Sequence, residues 1–161
     1  MNKIIIIVAL IAGIINPIFC ERLGVGIIIG SPTGFTLKFI LARNSALAGN
    51  VGWSIGDNPR LHLTGDYQFL FPTVLRWTDE MNGEQREIKN LTPFLGIGGR
   101  FKFKENEADQ NTELNIGLRL GGGIEYGISR FGIFLELYPV VNILPATDFD
   151  IEGGLGGRFY F

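Results

Sequence analysis

The segment RLHLTGDYQFLF, residues 60–71, alternates between apolar and polar side chains with a period of two. The apolar set, with one glycine, consists of Leu61, Leu63, Gly65, Tyr67, Phe69 and Phe71. The polar set consists of Arg60, His62, Thr64, Asp66 and Gln68. A β-strand projects successive side chains to opposite faces, whereas a helix would mix the two sets. The segment therefore predicts a strand with one apolar and one polar face.

Seven further segments show the same alternation, and each is bounded by turn residues. They are residues 23–30, 35–41, 46–55, 93–103, 114–126, 131–141 and 149–161. The total of eight is even, as in the single-chain up-and-down barrels of bacterial outer membranes. We therefore predict an all-β fold, an eight-stranded antiparallel up-and-down β-barrel.

The N-terminus has a different composition. Lys3 is followed by an apolar run over residues 4–15, and charge resumes only at Glu21. This layout is typical of a secretory signal peptide. We predict that residues 1–20 are a cleaved signal peptide and that residues 21–161 form the barrel. Lipidation of Cys20 is the alternative, although the bulky Phe19 stands where such sites favour a small residue.

The composition excludes several classes of protein and of partner. The chain of 161 residues fits one domain, and its net charge of −2 comes with no basic block, so nucleic acid is not an expected partner. Beyond the N-terminus no apolar stretch approaches the roughly 20 residues of a membrane-spanning helix. Cys20 is the single cysteine, so the predicted barrel has no disulfide or thiol chemistry.

Alternation alone also fits a soluble barrel whose apolar face points inward, and the aromatic residues decide between the two orientations. With strands alternating in direction, one group of aromatics falls near one rim: Phe35, Trp53, Phe101, Phe103 and Phe149. A second group falls near the other: Phe39, Phe69, Phe71, Tyr126, Phe131, Phe159 and Phe161. Two aromatic girdles mark the edges of a lipid-facing band. We therefore predict an eight-stranded antiparallel up-and-down transmembrane β-barrel whose apolar face contacts outer-membrane lipid.

The polar faces carry nearly balanced charges. They hold six cations, five carboxylates and the single histidine: Lys38, Arg60, Arg100, Lys102, Arg119, Arg158, Asp66, Glu125, Glu136, Asp150, Glu152 and His62. An eight-stranded barrel is just wide enough for side chains to fill, so buried charges there must pair. We predict a lumen plugged by this polar network, with inward-facing glycines leaving space for the long arginine and lysine side chains.

The connections between strands differ in length. In the longest, residues 72–92, the Asn82-Gly83 pair is a strong hairpin signal, and we expect residues 73–80 to pair with 85–92 beyond the barrel rim. An inside N-terminus would place this hairpin on the periplasmic side. The outer loops are then predicted at residues 31–34, 56–59, 104–113 and 142–148. The acidic loop 104–113 is the best candidate for contact with an extracellular or host protein.

Several short motifs, taken in order, resemble a family of small bacterial outer-membrane β-barrels. They are LGVG (23–26), GSPTG (30–34), LHLTGDY (61–67), GIGGR (96–100), ELYP (136–139), PATDFD (145–150) and GGLGGRFYF (153–161). The family is similar in architecture to the OmpA and OmpX transmembrane barrels. The resemblance implies an assembly signal at Phe161, in phase with Phe159, read by the barrel-assembly machinery. The long 72–92 connection departs from the family pattern, and the resemblance brings no established activity.

Catalytic chemistry has one candidate. His62 shares an inward face with Thr64 and Asp66, which would allow a base, a hydroxyl and an orienting acid of a lipid-modifying enzyme. The simpler interpretation is a lumen histidine paired with a carboxylate. We expect no catalytic residue, metal site or cofactor. The predicted function is a structural or loop-displaying outer-membrane protein, with a narrow diffusion channel or a lipid-modifying enzyme that uses His62 as alternatives.

Overall fold

The computed structural model describes residues 22–54, 60–78, 85–106 and 111–161. The predicted signal peptide, the Asn82-Gly83 turn and the whole of loop 56–59 therefore lie outside the described residues. The described chain forms nine strands: β1 (Leu23–Gly30), β2 (Gly34–Ala42), β3 (Ser45–Ser54), β4 (Arg60–Leu70), β5 (Thr73–Thr78), β6 (Gln85–Asn106), β7 (Asn111–Ile128), β8 (Phe131–Leu144) and β9 (Asp148–Tyr160). No helix in these parts of the chain is long and apolar enough to cross a membrane.

Eight of the strands close into a barrel, which confirms the predicted antiparallel architecture. The strand order is β4-β3-β2-β1-β9-β8-β7-β6, and β6 pairs back with β4. One seam joins β1 to β9, with Gly24 opposite Tyr160. The other joins β4 to β6, with Thr64 opposite Arg100. Closure leaves no strand edge within the barrel itself.

The ninth strand, β5, pairs with the first part of β6 and forms the predicted hairpin, with Thr78 opposite Gln85. Its register shifts between Thr73 and Leu75, where β6 contributes an extra residue, and Asn90 adopts a positive φ of 62°. A bulge of this kind bends a strand. The predicted arm 85–92 and the predicted strand 93–103 are one continuous strand, because Pro93 remains in the ladder opposite Ile124 of β7.

Two predicted loops are shorter than expected. The ladder of β6 and β7 continues to the pair Asn106 and Asn111, so most of the loop predicted at 104–113 is strand. Strand β8 likewise runs to Leu144, which moves Asn142 out of the loop predicted at 142–148. Backbone pairing persists beyond the apolar band, because hydrogen bonds between strands do not require alternating side chains.

The two rims of the barrel differ. We name the turn rim as residues 22, 42–44, 71–72, 129–130 and 161, which includes the base of the β5–β6 hairpin. The loop rim comprises residues 31–33 and 145–147 with the adjoining strand ends at Ser54, Asn106 and Asn111. Each barrel strand connects the two rims. Its successive side chains alternate between the outward and the inward face, except near the register shifts at Ile40/Ala42 and Ile116/Gly117.

The outward face of the barrel wall is apolar. Ile29, Leu118 and Leu120 are each more than 60% exposed, and the outward positions of all eight barrel strands are dominated by such side chains. Among the outward-facing wall residues whose side chains are described, none is charged. The charged side chains of the described wall instead point into the lumen.

Candidate functional site

The lumen holds a connected set of charged side chains, because period-two alternation places them on the inner face of every contributing strand. We name this the lumen network. Its members are Lys38, His62, Asp66, Arg100, Lys102, Arg119, Glu125, Glu136, Asp150, Glu152 and Arg158. The backbone of Arg60, the twelfth predicted member, lies in β4, but its side chain is outside the described set.

Glu152 anchors the half of the lumen network nearer the loop rim. Its carboxylate lies 2.6 Å from Arg100 Nη1, 3.2 Å from Arg119 Nη1, 3.0 Å from Lys102 Nζ and 3.1 Å from His62 Nε2. Arg100 also lies 2.8 Å from Asp150 Oδ2 and donates a hydrogen bond to Asn142 Oδ1. Four groups thus converge on one buried carboxylate.

Arg119 connects this cluster to the middle of the lumen. Its Nε lies 2.9 Å from Asp66 Oδ1, and its Nη2 lies 3.6 Å from Glu136 Oε1. Asn50 Nδ2 donates a hydrogen bond of 3.2 Å to the same Glu136 oxygen. Arg119 therefore contacts carboxylates on three strands, which links β4, β8 and β9 across the lumen.

Glu125 anchors the half nearer the turn rim. Lys38 Nζ lies 2.8 Å and Arg158 Nη1 lies 3.3 Å from Glu125 Oε2, and the Tyr160 hydroxyl donates to Oε1. Arg158 also donates a 2.8 Å hydrogen bond from Nη2 to Thr36 Oγ1. A buried ion must be paired and hydrogen-bonded to offset its lost hydration. Lys38, Glu125 and Arg158 meet that condition.

Three cations of the lumen network also lie over aromatic rings. Arg119 Cζ is 3.9 Å from the Tyr138 centroid and Arg158 Cζ is 3.6 Å from the Phe134 centroid. Lys38 Nζ is 5.1 Å from the centroid of Phe94. Such contacts are attractive, and more so when water is excluded.

The inward glycines make room for these rings. A Cβ atom on Gly96 would overlap Tyr138, one on Gly123 would overlap Phe94, and one on Gly156 would overlap Phe134. The expectation that the glycines leave space for arginine and lysine is therefore wrong at these positions. The order from the wall inward is glycine, aromatic ring and cation, because a flat ring fits against bare backbone and leaves the lumen axis to the charges.

The middle of the lumen is filled. Arg100, Arg119, Arg158, Tyr138 and Gln68 are each less than 2% exposed. Shallow cavities lie at the two ends: one of about 290 Å³ at the loop rim, lined by Pro32, Trp53, His62 and Lys102 among others, and one of about 270 Å³ at the turn rim, lined in part by Lys38 and Tyr160. A layer of buried side chains separates the two cavities.

The candidate catalytic set His62, Thr64 and Asp66 is divided between different partners. His62 faces Glu152, Asp66 faces Arg119, and the buried Thr64 hydroxyl has no hydrogen-bond partner within the described residues. The described residues also hold no cluster of three or more His, Cys, Asp or Glu side chains placed to bind a metal. His62 therefore lies beside a buried carboxylate of the lumen network, apart from Thr64 and Asp66.

The predicted network lacks several contributors. The sequence prediction puts Asn142 in a loop and does not include Phe94, Phe134 and Tyr138 as ring partners of cations. The alternation along β8 does indicate that these residues face the lumen, since Phe134, Tyr138 and Asn142 are all in phase with Glu136. Which cation each ring meets depends on contacts across the lumen, and a single strand does not encode them.

The outward aromatic side chains are grouped at the rims. Phe35 and Trp53 lie 5.4 Å apart between ring centroids at the loop side. At the turn side Phe159 lies 5.0 Å from Phe131 and 5.1 Å from Phe161. The Phe161 N–H donates to the Leu23 carbonyl at 3.2 Å, so this residue extends the seam between the first and last strands.

Comparison of the chain with protein families, with curated proteins and with solved structures finds no match. The architecture and the side-chain geometry are thus the basis for a functional conclusion, and the resemblance to the OmpA and OmpX barrels remains a prediction.

Proposed function

We propose that this chain is an integral outer-membrane β-barrel with a side-chain-plugged lumen, acting as a structural element or as a scaffold that displays its loops. The observation that carries the proposal is the division of the wall, with apolar side chains outside and the charges inside. A soluble barrel would bury the apolar face. Here the apolar face covers the outer surface of the barrel wall all the way around. Its contiguous apolar area is therefore far larger than the few hundred Å² usual for a soluble monomer.

The exposed apolar wall favours insertion of the barrel into lipid. Moving one large aliphatic side chain out of water contributes about 1.5–3 kcal/mol. Outward leucines such as Leu95, Leu118, Leu120, Leu135 and Leu155 are each more than half exposed. Lipid would remove all of them from water at once. The aromatic pairs at the two rims fit the level of lipid headgroups, where amphipathic rings accumulate.

The filled lumen supports a structural or display role over transport. Passage of a solute would require displacement of the buried Arg119 and Tyr138 together with the ion pairs that hold Arg119. The proposed partners are outer-membrane lipid, the barrel-assembly machinery acting at Phe161 and Phe159, and an extracellular or host protein at the loop rim. No enzymatic step and no cofactor belong to this proposal.

The proposal is tested by a matched pair of leucine substitutions. Leu120 lies on the outward face near the middle of β7 and is 64% exposed, and Leu75 lies in the hairpin and is 49% exposed. In lipid, Leu120→Lys should cost about 2–4 kcal/mol at the bilayer midplane. Leu75→Lys, beyond the rim, should have little effect. If the barrel were soluble, both exposed leucines would tolerate lysine equally.

The measurement is the fraction of folded protein in isolated outer membranes, read from the heat-dependent shift of gel mobility. We expect the unmodified chain and Leu75→Lys to shift and to remain with the membrane, and Leu120→Lys to lose most of the folded band. A folded, water-soluble periplasmic species that accepts both substitutions would contradict the proposal.

A further inference from the structure

Three exposed arginines follow one another around the turn rim. Arg22 precedes β1 and donates from Nη1 to the Leu41 carbonyl at 3.3 Å, which holds it against the end of β2. Arg43 lies in the turn between β2 and β3. Arg130 lies in the turn before β8, and its carbonyl accepts the Tyr160 N–H at 2.8 Å. We name Arg22, Arg43 and Arg130 the arginine arc.

Among the described residues of the turn rim, the arginine arc has no acidic side-chain partner. The described turn-rim residues include no aspartate or glutamate side chain, and no ion pair within the described chain engages any of the three arginines. Glu125 lines the turn-rim cavity together with Arg43, but it is 7% exposed and is held by Lys38, Arg158 and Tyr160. The loop rim differs, since Asp148 is exposed there and Asp150 is partly exposed.

Aromatic rings lie directly beside the arc on the outward face. Phe131 follows Arg130 in sequence and is 58% exposed, and Phe159 and Phe161 continue the same ring cluster. If these rings lie at the headgroup level, guanidinium groups one step further out reach the phosphate level. Guanidinium matches phosphate oxygens with paired N–H donors, which makes arginine a strong partner for this anion.

We propose that the arginine arc binds the phosphate headgroups of anionic phospholipid in the leaflet at the turn rim. This inference rests on the proposed membrane insertion and specifies the lipid that surrounds one end of the barrel. The arc spans the strand ends from β3 through β1 and β9 to β7, while the β5–β6 hairpin occupies the remaining rim. We therefore expect selective binding of anionic phospholipid over only part of the ring of lipids that surrounds the barrel.

The test measures lipid selectivity in vesicles of phosphatidylcholine with a minor fraction of phosphatidylglycerol. Spin-labelled forms of the two lipids report which one the protein retains beside it. A basic residue at an anionic surface favours an adjacent anionic headgroup about fivefold, so we expect about a twofold preference for phosphatidylglycerol averaged over the shell. The preference should fall as salt concentration rises, because exposed charges are screened.

Matched variants distinguish binding by the arginine arc from a general effect of positive charge. The triple variant Arg22→Gln, Arg43→Gln, Arg130→Gln should remove the preference. Two double variants each remove two positive charges. One carries Arg43→Gln with Arg130→Gln in the arc. The other carries Arg76→Gln with Lys89→Gln in the hairpin, where both residues already pair with Glu87 at 3.4 and 2.6 Å. Only the first double variant should reduce the preference. Replacing all three arc residues by lysine should retain part of it and controls for folding.

The outcomes distinguish the two proposals. A chain that inserts, with a heat-dependent mobility shift, but shows equal retention of both lipids overturns the arc and leaves the barrel proposal intact. Equal losses in the two double variants overturn it as well, because they would show a general charge effect. Failure of the unmodified chain to insert into any vesicle would overturn the membrane proposal and the arc with it. Competition by soluble glycerol phosphate would point to a free anion instead of lipid.

Discussion

The guanidinium group of Arg119 lies over the ring of Tyr138, with 3.9 Å between Cζ and the ring centroid. Gly96 and Gly121 also lie against Tyr138, since a Cβ atom added at either glycine would overlap it. Tyr138 is fully buried, and its hydroxyl accepts a 3.4 Å hydrogen bond from Gln68 Nε2. The position of the central cation thus depends on a ring, and the position of the ring depends on glycine.

Gly96→Ala should destabilise the barrel, because the new methyl group would overlap the Tyr138 ring. Overpacking of this kind costs about 1–3 kcal/mol. Gly65→Ala is the matched control: Gly65 is outward, and no atom lies within 4 Å of the added methyl group. Alanine there should be neutral or add up to about 1 kcal/mol. Urea unfolding of the two variants in lipid vesicles measures both, and equal free energies of unfolding would contradict the packing argument.

Arg119→Met should destabilise the fold more strongly, since Asp66, Glu136 and Glu152 would lose a shared cation. Removing one partner of a buried ion pair costs about 3–5 kcal/mol. The added substitution Asp66→Asn should restore part of that loss. Arg76→Met, on the exposed hairpin, should have little effect because surface pairs contribute little. The same unfolding assay applies, and a tolerated Arg119→Met would show that the central charges are not coupled.

In planar bilayers the unmodified protein should show no stepwise conductance, because buried side chains separate the two rim cavities. The double variant Tyr138→Ala, Phe94→Ala removes two rings from that layer and should produce openings. Frequent openings of the unmodified protein, with a single-channel size that does not respond to the double variant, would mean that ions follow another path.

His62→Ala should leave the mass spectra of membrane lipids unchanged. Glu152 would still hold Arg100, Lys102 and Arg119 after loss of the imidazole, so the barrel should remain folded. The experiment compares cells that express the variant with cells that express the unmodified chain. A lipid modification present only with the unmodified chain, and absent with a folded His62→Ala variant, would establish an enzyme and refute the non-enzymatic proposal.

Alternation was sufficient to predict the strands because the wall has two chemically distinct faces. Strand β1 matches its predicted range, and the other barrel strands differ chiefly at the rims. There the polar residues on both sides hide the period, as between Lys104 and Glu113, although backbone pairing continues. The predicted hairpin arms were recognisable because Asn82-Gly83 has a specific turn chemistry.

The pairing inside the lumen could not be predicted in the same way. Arg100 and Glu152 lie on strands that are not neighbours in the sheet, and their side chains meet across the lumen. The alternation along one strand gives the face on which each residue lies. It does not give the position of that residue along the barrel axis relative to residues on the opposite wall. The ring positions have the same limit, since Phe94 follows the polar parity of Arg100 while its hydrophobicity indicates the outer face.

The seam between β1 and β9 has a kinetic consequence. Gly24 and Tyr160 belong to the ladder with the greatest sequence separation in the barrel, and contacts of large separation form slowly, so we expect this ladder to close last. Until then both strands carry open edges beside glycine-rich backbone, which another chain could join. Closure of the barrel on itself therefore competes with strand pairing to a neighbouring chain. A factor that shields β1 and β9 from other chains during that interval would raise the yield of closed barrels.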